Sequence, residues 1–339
     1  MRFIAAGRSD VGLQREHNED SFALLDHHGL FIVADGMGGH RAGDVASRIA
    51  TEAVSAFFDI TEREDATWPF HYDPALSSEE NRLLTGIKVA NKSIYEASAR
   101  SAEHRGMGTT VVGMLVSPSR ARVFIGHVGD SRCYRIRARS ITLLTQDHSL
   151  VNEYIRAMPE LTEAQRDELP RNVITRALGM TEGVQVDLAV DQSEVGDRYL
   201  LCSDGLSGML TDEELRDLVV SAPDPDEACR ELIRAANERG GEDNITAVVL
   251  AVEAPATEES EVRVTVVGDA PEATPSRLPM TTYPAPEPSE PPEGIAREDT
   301  ERIATNSDLP PREPATPVPG SLQEPMDAPP PSDDTKRDG

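Results

Sequence analysis

Short apolar runs that come in pairs dominate the first three quarters of this 339-residue chain. The members of two such pairs are separated by the short polar stretches 26–29 and 117–120, which are rich in Asp, Gly, Ser and Pro. Because these residues favour turns, each of the two pairs is predicted to be an antiparallel hairpin. The predicted strands are residues 22–25 with 30–34, 110–116 with 121–128, 132–136 with 141–144, 184–190 with 198–202, and a last strand over 244–252.

Apolar residues at helical spacing fill the gaps between the strand pairs. Ser77 and Glu80 have the spacing of a capping box at the start of the second helix. The predicted helices contain Val45, Ile49, Ala53 and Phe57; Leu83, Leu84, Ile87, Ala90 and Ile94; Leu215, Leu218 and Val219; and Ala228, Leu232, Ile233 and Ala236. Strand pairs that alternate with helix pairs favour stacked antiparallel sheets covered by helices over a parallel Rossmann-type sheet.

Composition divides the chain near residue 253. Of the 25 prolines, 18 lie after this point, and Tyr283 is the single aromatic residue there. So little apolar surface cannot offset the entropy cost of ordering the segment. We therefore predict a domain over 1–253 and a disordered tail, rich in Pro, Glu and Thr, over 254–339. Within that tail, residues 261–267 alternate like a strand, which could add an edge to a sheet or pair with a partner protein.

A net charge of −27 argues against nucleic acid and anionic membranes as partners, since both would repel such a chain. The first ten residues lack the apolar core of a signal peptide, and no run of eighteen apolar residues follows. We expect a cytoplasmic protein. Cys133, Cys202 and Cys229 lack CxxC spacing, so they are expected to be buried, reduced thiols.

Three acidic residues stand where apolar runs begin or end. Asp35 and Asp204 follow predicted strands, and Asp243 precedes the last strand. If these strands belong to one sheet system, their ends can converge. Several carboxylates share a small site at acceptable cost only when a cation is bound. The pattern therefore indicates a metal-dependent enzyme.

Taken singly, the motifs around these acids do not distinguish a turn from a metal site. Asp35-Gly36 opens a glycine-rich turn, and glycines there would also let a cation approach the Gly36 carbonyl oxygen, a hard ligand suited to Mg²⁺ or Mn²⁺. A P-loop is excluded because no Gly-Lys-Ser/Thr follows, and a dinucleotide fingerprint is excluded because Arg41 replaces its third glycine. Asp130 fits a backbone turn as well as it fits a metal site.

Taken together and in this order, the motifs resemble those of the protein phosphatase 2C family, the metal-dependent Ser/Thr protein phosphatases, in its bacterial form. The resemblance spans roughly residues 3–252. It depends on segments 15–20, 35–40, 108–110, 129–132, 144–149, 172–179, 203–206 and 243–244. It implies an α+β fold, a four-layer α-β-β-α sandwich in which helix pairs flank two antiparallel sheets, in agreement with the strand pattern.

The resemblance also implies a role for each matching residue. Asp35 would bridge two divalent ions, Mn²⁺ or Mg²⁺. Asp204 and Asp243 would complete the ligands of one ion, and the Gly36 carbonyl with Glu19, through water, those of the other.

A further set of roles follows from the same resemblance. Asp130, together with Asp204, would match the ligands of a weaker third ion. The residues that would hold the ligands in place are Asp20, Thr109, Arg132 and Asn244.

Such a ligand set can hydrolyse a phosphate ester. Two cations about 3.5–4 Å apart lower the pKa of a shared water and neutralise charge on the phosphoryl oxygens. Arg15 would bind the phosphate, because its planar fork bonds two oxygens at once. The source of the proton for the leaving alkoxide is not decided, because Met37 stands where eukaryotic members have a histidine. Either His40 or a water on a metal would supply this proton.

The expected activity is hydrolysis of phosphoserine and phosphothreonine on proteins, in opposition to Ser/Thr protein kinases, by a monomer. Two alternatives are weaker. A phosphatase acting on anti-anti-sigma proteins would generally lack the arginine that is present here as Arg15, and a non-catalytic scaffold would have lost metal carboxylates. Residues 151–171 resemble a flap over the site, and residues 60–78, with Trp68, form an insert that is either a docking patch or an aromatic plug.

Overall fold

The computed structural model describes residues 1–38, 42–62, 69–160, 162, 165, 169, 173–255 and 264–266. Its strands are β1 (Arg2–Asp10), β2 (Asp20–Leu25), β3 (Leu30–Met37), β4 (Gly108–Thr109), β5 (Val111–Ser117), β6 (Arg122–Val128), β7 (Arg132–Arg137), β8 (Ser140–Leu143), β9 (Asp187–Gln192), β10 (Arg198–Cys202), β11 (Ile245–Glu253) and β12 (Val264–Val266). Its helices are α1 (Ala42–Ile60), α2 (Ser78–Arg100), α3 (Leu150–Ala157), α4 (Asp204–Ser207), α5 (Asp212–Ser221) and α6 (Pro225–Glu238).

The strands form two sheets. One has the order β12-β1-β11-β10-β7-β8, and the other has the order β2-β3-β5-β6-β9, with β4 paired to β3. Every pairing is antiparallel except that of β12 with β1, which is parallel. The two sheets therefore match the predicted pair of antiparallel sheets.

Alternation along the strands separates the apolar residues into layers, because successive side chains of a strand point to opposite faces. On β3, Ile32 packs with the residues of α1 and α2, whereas Phe31 and Val33 lie between the sheets. On β10, Leu201 lies between the sheets, whereas Leu200 packs with α5 and α6. Helix pair, sheet, sheet and helix pair thus form the four predicted layers.

The helix predictions are confirmed in position and in capping. The second helix begins with the predicted capping box, in which the Ser77 side chain accepts a hydrogen bond from the Glu80 backbone and the Glu80 side chain accepts one from the Ser77 backbone. An equivalent box, built by Thr211 and Glu214, starts α5. These caps satisfy backbone donors that have no partner within the helix.

One predicted strand pair is wrong. The hairpins β2–β3, β5–β6 and β7–β8 occur as predicted, but β9 and β10 do not pair with each other. β9 pairs with β6 in one sheet, and β10 pairs with β7 and β11 in the other. The connection crosses between the sheets, and the buried Asp197 anchors it by accepting two hydrogen bonds from Arg137, at 2.7 Å each.

Two predictions fall only partly on the described residues. The strand-like pattern at 261–267 corresponds to β12, which adds an edge beside β1, while the rest of the predicted tail after residue 255 lies outside the described residues. Trp68 of the insert lies outside them too. In the described part of the chain, no helix combines the length and apolar character needed to span a membrane. Cys133, Cys202 and Cys229 are free and buried, as expected.

Candidate metal centre

The two sheets bring the predicted carboxylates to one end of the sandwich. Asp20 lies opposite Asp35 in the β2–β3 ladder. Asp204 begins α4 directly after β10, and Asp243 lies just before β11, the neighbour of β10. Residues that are more than 200 positions apart in the chain therefore face one another across the gap between the sheets.

Crowding of negative charge is the dominant electrostatic feature of this end. Burial raises the pKa of Asp35 well above its usual range, and the charges of Asp20, Asp204, Asp130 and Asp243 raise it further. The pKa of Asp204 is also raised, first by burial and then by the charge of Asp243. A divalent cation would reverse these shifts by favouring the ionised form of each carboxyl.

Asp20, Asp35, Asp130, Asp204 and Asp243 form an acidic cluster. Two carboxyl oxygens of this acidic cluster lack hydrogen bonds although they are buried. Oδ1 of Asp20 and Oδ1 of Asp130 have no partner among the described residues. Burial is the first cause that raises the pKa of each side chain, to about 7 in both cases. A buried carboxyl oxygen without a donor is costly, and a cation is one group that satisfies it.

Glycines let the backbone come close at Gly36. A Cβ at Gly36 would lie 2.1 Å from the Gly43 carbonyl oxygen, and one at Gly43 would lie 2.7 Å from the Glu19 carboxylate and 2.8 Å from the Gly36 carbonyl oxygen. The Gly36 carbonyl and the Glu19 side chain consequently share one small space. Burial raises the pKa of Glu19, and nearby Asp44 raises it further.

Asp44 is a site residue that the sequence analysis missed. It lies in the first turn of α1, and its Oδ1 is buried without a hydrogen bond among the described residues. The sequence signal that could have found it is an acidic residue in the first helical turn just after the glycine-rich stretch.

The predicted supporting residues hold the acidic segments in place. Asn244 accepts a hydrogen bond from the Glu19 backbone at 2.7 Å and donates to the carbonyls of Val11 and His17 at 2.9 and 3.0 Å. Thr109 donates its hydroxyl proton to the Asp35 carbonyl at 2.8 Å. These bonds bind the segments that lead to Glu19, Asp35 and Asp243 into one unit.

Hydroxyl groups that the sequence analysis did not assign also orient the cluster. Oδ2 of Asp20 accepts hydrogen bonds from Ser203 at 2.7 Å and from Thr246 at 2.6 Å. Because Ser203 precedes Asp204, the bond fixes Asp20 beside the start of α4. Thr110 donates to or accepts from Ser131 at 2.6 Å and accepts from the Asp35 backbone at 3.1 Å.

The hydrogen bonds of Arg132 go to Asp147 and Tyr134, which are not among the predicted metal ligands. Arg132 donates to both carboxylate oxygens of Asp147, at 2.7 to 3.1 Å, and to the Tyr134 hydroxyl at 3.0 Å. Its charge lowers the pKa of Asp130, against the larger effect of burial. Arg132 therefore influences Asp130 through charge and through the packing of Asp147.

Arg15 lies at the solvent-facing side of the cluster. Its side chain is 49% exposed and donates to Oδ2 of Asp243 at 2.6 Å. The guanidinium charge also favours the ionised forms of Glu19 and Asp204. Such an exposed arginine beside carboxylates can bind a phosphate group with the donors that Asp243 does not use.

Two predicted features lie wholly or partly outside the described residues. His40, the candidate proton donor, is among residues 39–41, which are not described, and so is Asn172 of the 172–179 segment. Of the predicted flap, α3 is described. It begins at a cap in which Ser149 accepts from the Asn152 backbone, and Ser149 also forms a β-bridge with Ile174.

The donor atoms of this centre fit a hard divalent cation. Carboxylates and a backbone carbonyl are the ligands that Mg²⁺ and Mn²⁺ prefer, and the described part of the set contains no imidazole or thiolate group. Asp20, Asp44 and Asp130 each offer a buried oxygen without a hydrogen bond in the described structure. The residues that could hold the cations are Glu19, Asp35, Gly36, Asp130, Asp204 and Asp243.

Comparisons with known proteins agree with this chemistry. The profile of the family described as protein phosphatase 2C matches residues 13–249. The chain is 38% identical over 251 residues to the serine/threonine phosphatase stp of Listeria welshimeri, which covers 72% of this chain and 93% of that protein.

Solved structures give the same result. The chain is similar to the Mycobacterium tuberculosis serine/threonine phosphatase PstP/Ppp, with 33% identity and a TM-score of 0.65 over 75% of this chain and 100% of that chain. It is also similar to the catalytic domain of PstP in complex with two manganese ions, with 32% identity and a TM-score of 0.63 over 74% of this chain and 99% of that chain.

Proposed function

This chain belongs to the protein phosphatase 2C family and is a metal-dependent Ser/Thr protein phosphatase, and we propose that it uses the acidic cluster to hydrolyse phosphoserine and phosphothreonine placed on proteins by Ser/Thr kinases. The observation that carries the proposal is the convergence of Asp35, Asp204 and Asp243 from two sheets. Their mutual repulsion is unfavourable unless cations are bound.

The proposed cations are two Mn²⁺ or Mg²⁺ ions, with a weaker third. When bound, they supply an activated water as the nucleophile and neutralise charge on the phosphate oxygens. Asp35 is the proposed bridging ligand, because it is the carboxyl on which the charges of four other aspartates act. The manganese complex of the PstP catalytic domain supports a manganese-binding site in a similar fold.

Each protein ligand has a proposed place. Asp204 and Asp243 would complete the ligands of one ion. The Gly36 carbonyl would contact the other ion, with Glu19 reaching it through water, and the close approach of Gly36 and Gly43 supports this arrangement. The unbonded Oδ1 of Asp130 supports a role for that carboxyl in the weaker third site.

Arg15 is proposed to bind the substrate phosphate. Its guanidinium is exposed, and its five N–H donors suit a phosphate that approaches from solvent. The ion pair with Asp243 holds the guanidinium next to the cations, so that the phosphate would be placed against them. The donor of the proton to the leaving alkoxide stays open between His40 and a water molecule.

The domain boundary and the partners are proposals as well. Residues 1–253 are proposed to be the phosphatase domain, because the described part of the acidic cluster and its supporting residues lies within them. Phosphorylated proteins are the proposed substrates, and the net charge of −27 argues against nucleic acid as a partner. The three free, buried cysteines are compatible with a cytoplasmic, reducing location, which stays a prediction.

The proposed function is tested by hydrolysis of a phosphothreonine peptide with Mn²⁺, with chelator, and with Asp204→Asn. We expect turnover by the unaltered protein with Mn²⁺ and a loss of at least 100-fold, roughly the scale of losing a catalytic metal, in the other two conditions. Asp217→Asn, which removes an exposed carboxylate on α5, is the matched control and should leave turnover unchanged. Equal rates with and without chelator would contradict the proposal.

A further inference from the structure

A second cluster of potential ligands lies at the turn between β2 and β3. The turn is closed by hydrogen bonds from the His28 backbone to the Leu25 carbonyl and from the Gly29 backbone to the Asp26 carbonyl, both at 3.1 Å. Gly29 adopts a φ of 65°, which its lack of a side chain permits. The turn therefore presents two consecutive histidines, His27 and His28, in a defined conformation.

The end of α1 brings a carboxylate to these histidines. Nε2 of His28 lies 2.8 Å from Oδ1 of Asp59, and Nε2 of His27 lies 3.3 Å from the same oxygen. The two imidazole rings are tilted by 44° with their centroids 4.0 Å apart. Three ligand atoms of the type that bind metals, one from each side chain, thus lie within 4.8 Å of one another.

One of the three side chains is held rigidly and the other two are open to solvent. The His28 side chain is 3% exposed and packs edge-on against Phe58 at 6.0 Å between ring centroids. The side chains of His27 and Asp59 are 57% and 58% exposed. An ion can therefore reach the cluster from solvent, with His28 as a fixed ligand and the other two free to adjust.

The donor set differs in kind from that of the catalytic centre. Two imidazole nitrogens and one carboxylate oxygen suit Zn²⁺, Co²⁺ or Ni²⁺, whereas Mg²⁺ and Mn²⁺ favour oxygen ligands. Zinc bonds of about 2.0–2.2 Å place neighbouring tetrahedral ligand atoms roughly 3.3–3.6 Å apart, so only small side-chain movements are needed. We propose that His27, His28 and Asp59 bind one ion of the zinc type, with water completing its ligands.

The proposed ion would act away from the catalytic centre. The turn is joined to Leu30, at the opposite end of β3 from Asp35, and five residues of strand correspond to about 17 Å. The ion would tie the β2–β3 hairpin to the C-terminal end of α1. At their other ends, the hairpin carries Asp20 and Asp35 and α1 carries Asp44. The ion would therefore stabilise the layer that holds the centre.

An alternative role for the cluster is hydrogen bonding alone. Histidines near the last turn of a helix can interact favourably with the helix dipole, and α1 has no Lys or Arg in that turn. Hydrogen bonding to Asp59 would produce the same contacts without an ion. The two roles differ in one measurable property, which is a zinc affinity that depends on His27 and Asp59.

The experiment is a zinc titration of the full chain that has been saturated with Mn²⁺, followed by calorimetry and by thermal unfolding. His27→Asn and Asp59→Asn are the test variants, because both positions are exposed and their replacement should not prevent folding. His71→Asn, which removes an exposed histidine of the 69–77 segment, is the matched control. We expect one zinc ion per chain and a rise in Tm for the unaltered protein and the control.

In the test variants, we expect the zinc affinity to fall by at least tenfold and the rise in Tm to disappear, while Mn²⁺-dependent turnover without zinc stays unchanged. An unaltered protein that binds no zinc under these conditions would overturn the proposal. Zinc isotherms that are the same in the test variants and in the unaltered protein would overturn it too, because they would place the ion elsewhere.

Discussion

At the scale of single residues, the arrangement of hydrogen bonds around Asp20 shows how the centre is kept ready for cations. Oδ2 is occupied by Ser203 and Thr246, while the buried Oδ1 has no hydrogen bond among the described residues. The two hydroxyls therefore fix the carboxyl and leave one buried oxygen without a hydrogen bond in the described structure. Supporting bonds of this kind set the orientation of metal ligands and their nearest neighbours.

Replacing one of these hydroxyls should weaken metal binding more than it weakens folding. We expect Thr246→Val to raise the Mn²⁺ concentration needed for half-maximal turnover by roughly 10–100-fold, with turnover restored at saturating Mn²⁺. Titration of activity against Mn²⁺ measures the effect. Ser221→Ala, which removes a hydroxyl that donates to the Leu218 carbonyl on α5, should leave the titration unchanged.

Replacing Arg15 should weaken substrate binding more than it weakens metal binding. In Arg15→Lys the ammonium keeps the charge but loses the planar pair of donors, so we expect the KM for a phosphothreonine peptide to rise roughly tenfold, with a smaller change in kcat. Steady-state kinetics at saturating Mn²⁺ give both constants. An unchanged KM would mean that the exposed guanidinium serves only its ion pair with Asp243.

The residues of the centre were predictable to different degrees. Asp35, Asp204 and Asp243 stand next to apolar runs, so their convergence could be anticipated from the pattern alone. Asp44 carries a weak local signal, its place in the first turn of α1 after the glycine-rich stretch, whereas Thr246 lies inside β11 and has no local signal beyond its residue type. Their roles depend on which segments the fold brings together, and that information is not local.

At the scale of elements, strand pairs were easier to predict than the sheet to which each strand belongs. β2 and β3 are joined by a short turn, so their pairing follows from local sequence. β9 and β10 are also close in sequence, yet each extends a different sheet. The choice depends on strands far away in the sequence, because β9 pairs with β6 and β10 pairs with β7 and β11.

Close packing at α4 makes one glycine essential to the position of this element. A Cβ at Gly205 would lie 2.1 Å from the Asn244 carbonyl oxygen and 3.2 Å from the Asp243 Cβ. We expect Gly205→Ala to lower the free energy of unfolding by about 1–3 kcal/mol and to reduce Mn²⁺ affinity, because α4 and the Asp243 segment must separate. Urea unfolding and Mn²⁺ titration measure the two effects.

The matched control for Gly205 is Gly183→Ala. A Cβ at Gly183 has no other atom within 4 Å, so this substitution should change neither quantity. A Gly205→Ala protein with unaltered Mn²⁺ affinity would show that α4 can shift without moving Asp204.

The end of β6 and the segment just before α3 are joined by two stacked histidines. The rings of His127 and His148 lie 4.8 Å apart at 13°, and His148 accepts a hydrogen bond from the Gly129 backbone. The charged groups around them are Asp147, Asp187 and Arg176. Burial is the first cause that lowers the pKa of both histidines below the ordinary value of 6.5.

The lowered pKa values of His127 and His148 determine the direction in which stability changes with pH. The unfolded chain takes up protons below about pH 6.5, whereas the folded chain resists them, so the stability from these histidines is present above pH 6.5 and is lost as pH falls below it. Each histidine can contribute up to about 1.4 kcal/mol per pH unit. We expect urea unfolding to show a smaller loss between pH 7 and 5.5 in His127→Gln, and an unaltered loss in the control His104→Gln.

At the scale of the whole molecule, negative charge is concentrated at one end of the two sheets, where Asp35, Asp204 and Asp243 lie. The repulsion among these carboxylates must be offset by cations or by apolar packing elsewhere. That packing is supplied by the three buried apolar layers, which lie between each helix pair and its sheet and between the sheets. The alternation of apolar residues predicted these layers, whereas their alignment at one acidic end required the fold.

Removal of the last strand, β12, tests where the catalytic domain ends. β12 pairs in parallel with β1 over Phe3–Ala5 and Val264–Val266, so it extends the sheet beyond the predicted boundary at 253. The acidic cluster is assembled from residues before Glu253. A chain that ends at Glu253 should therefore keep the kcat/KM of the full chain toward a small phosphate ester, within about a factor of two, because that substrate needs only the centre and Arg15.

The same truncation should be visible in stability. Without β12, the backbone groups of β1 on that side face solvent, so we expect a Tm lower by a few degrees, about the effect of 1 kcal/mol in a domain of this size. A second chain that ends at Gly268 keeps β12 and should regain the lost Tm. If both truncated chains had the Tm of the full chain, pairing with β12 would contribute no stability. If the chain ending at Glu253 lost its activity toward the small ester while remaining folded, the later residues would belong to the catalytic site, and the domain boundary proposed at 253 would be wrong.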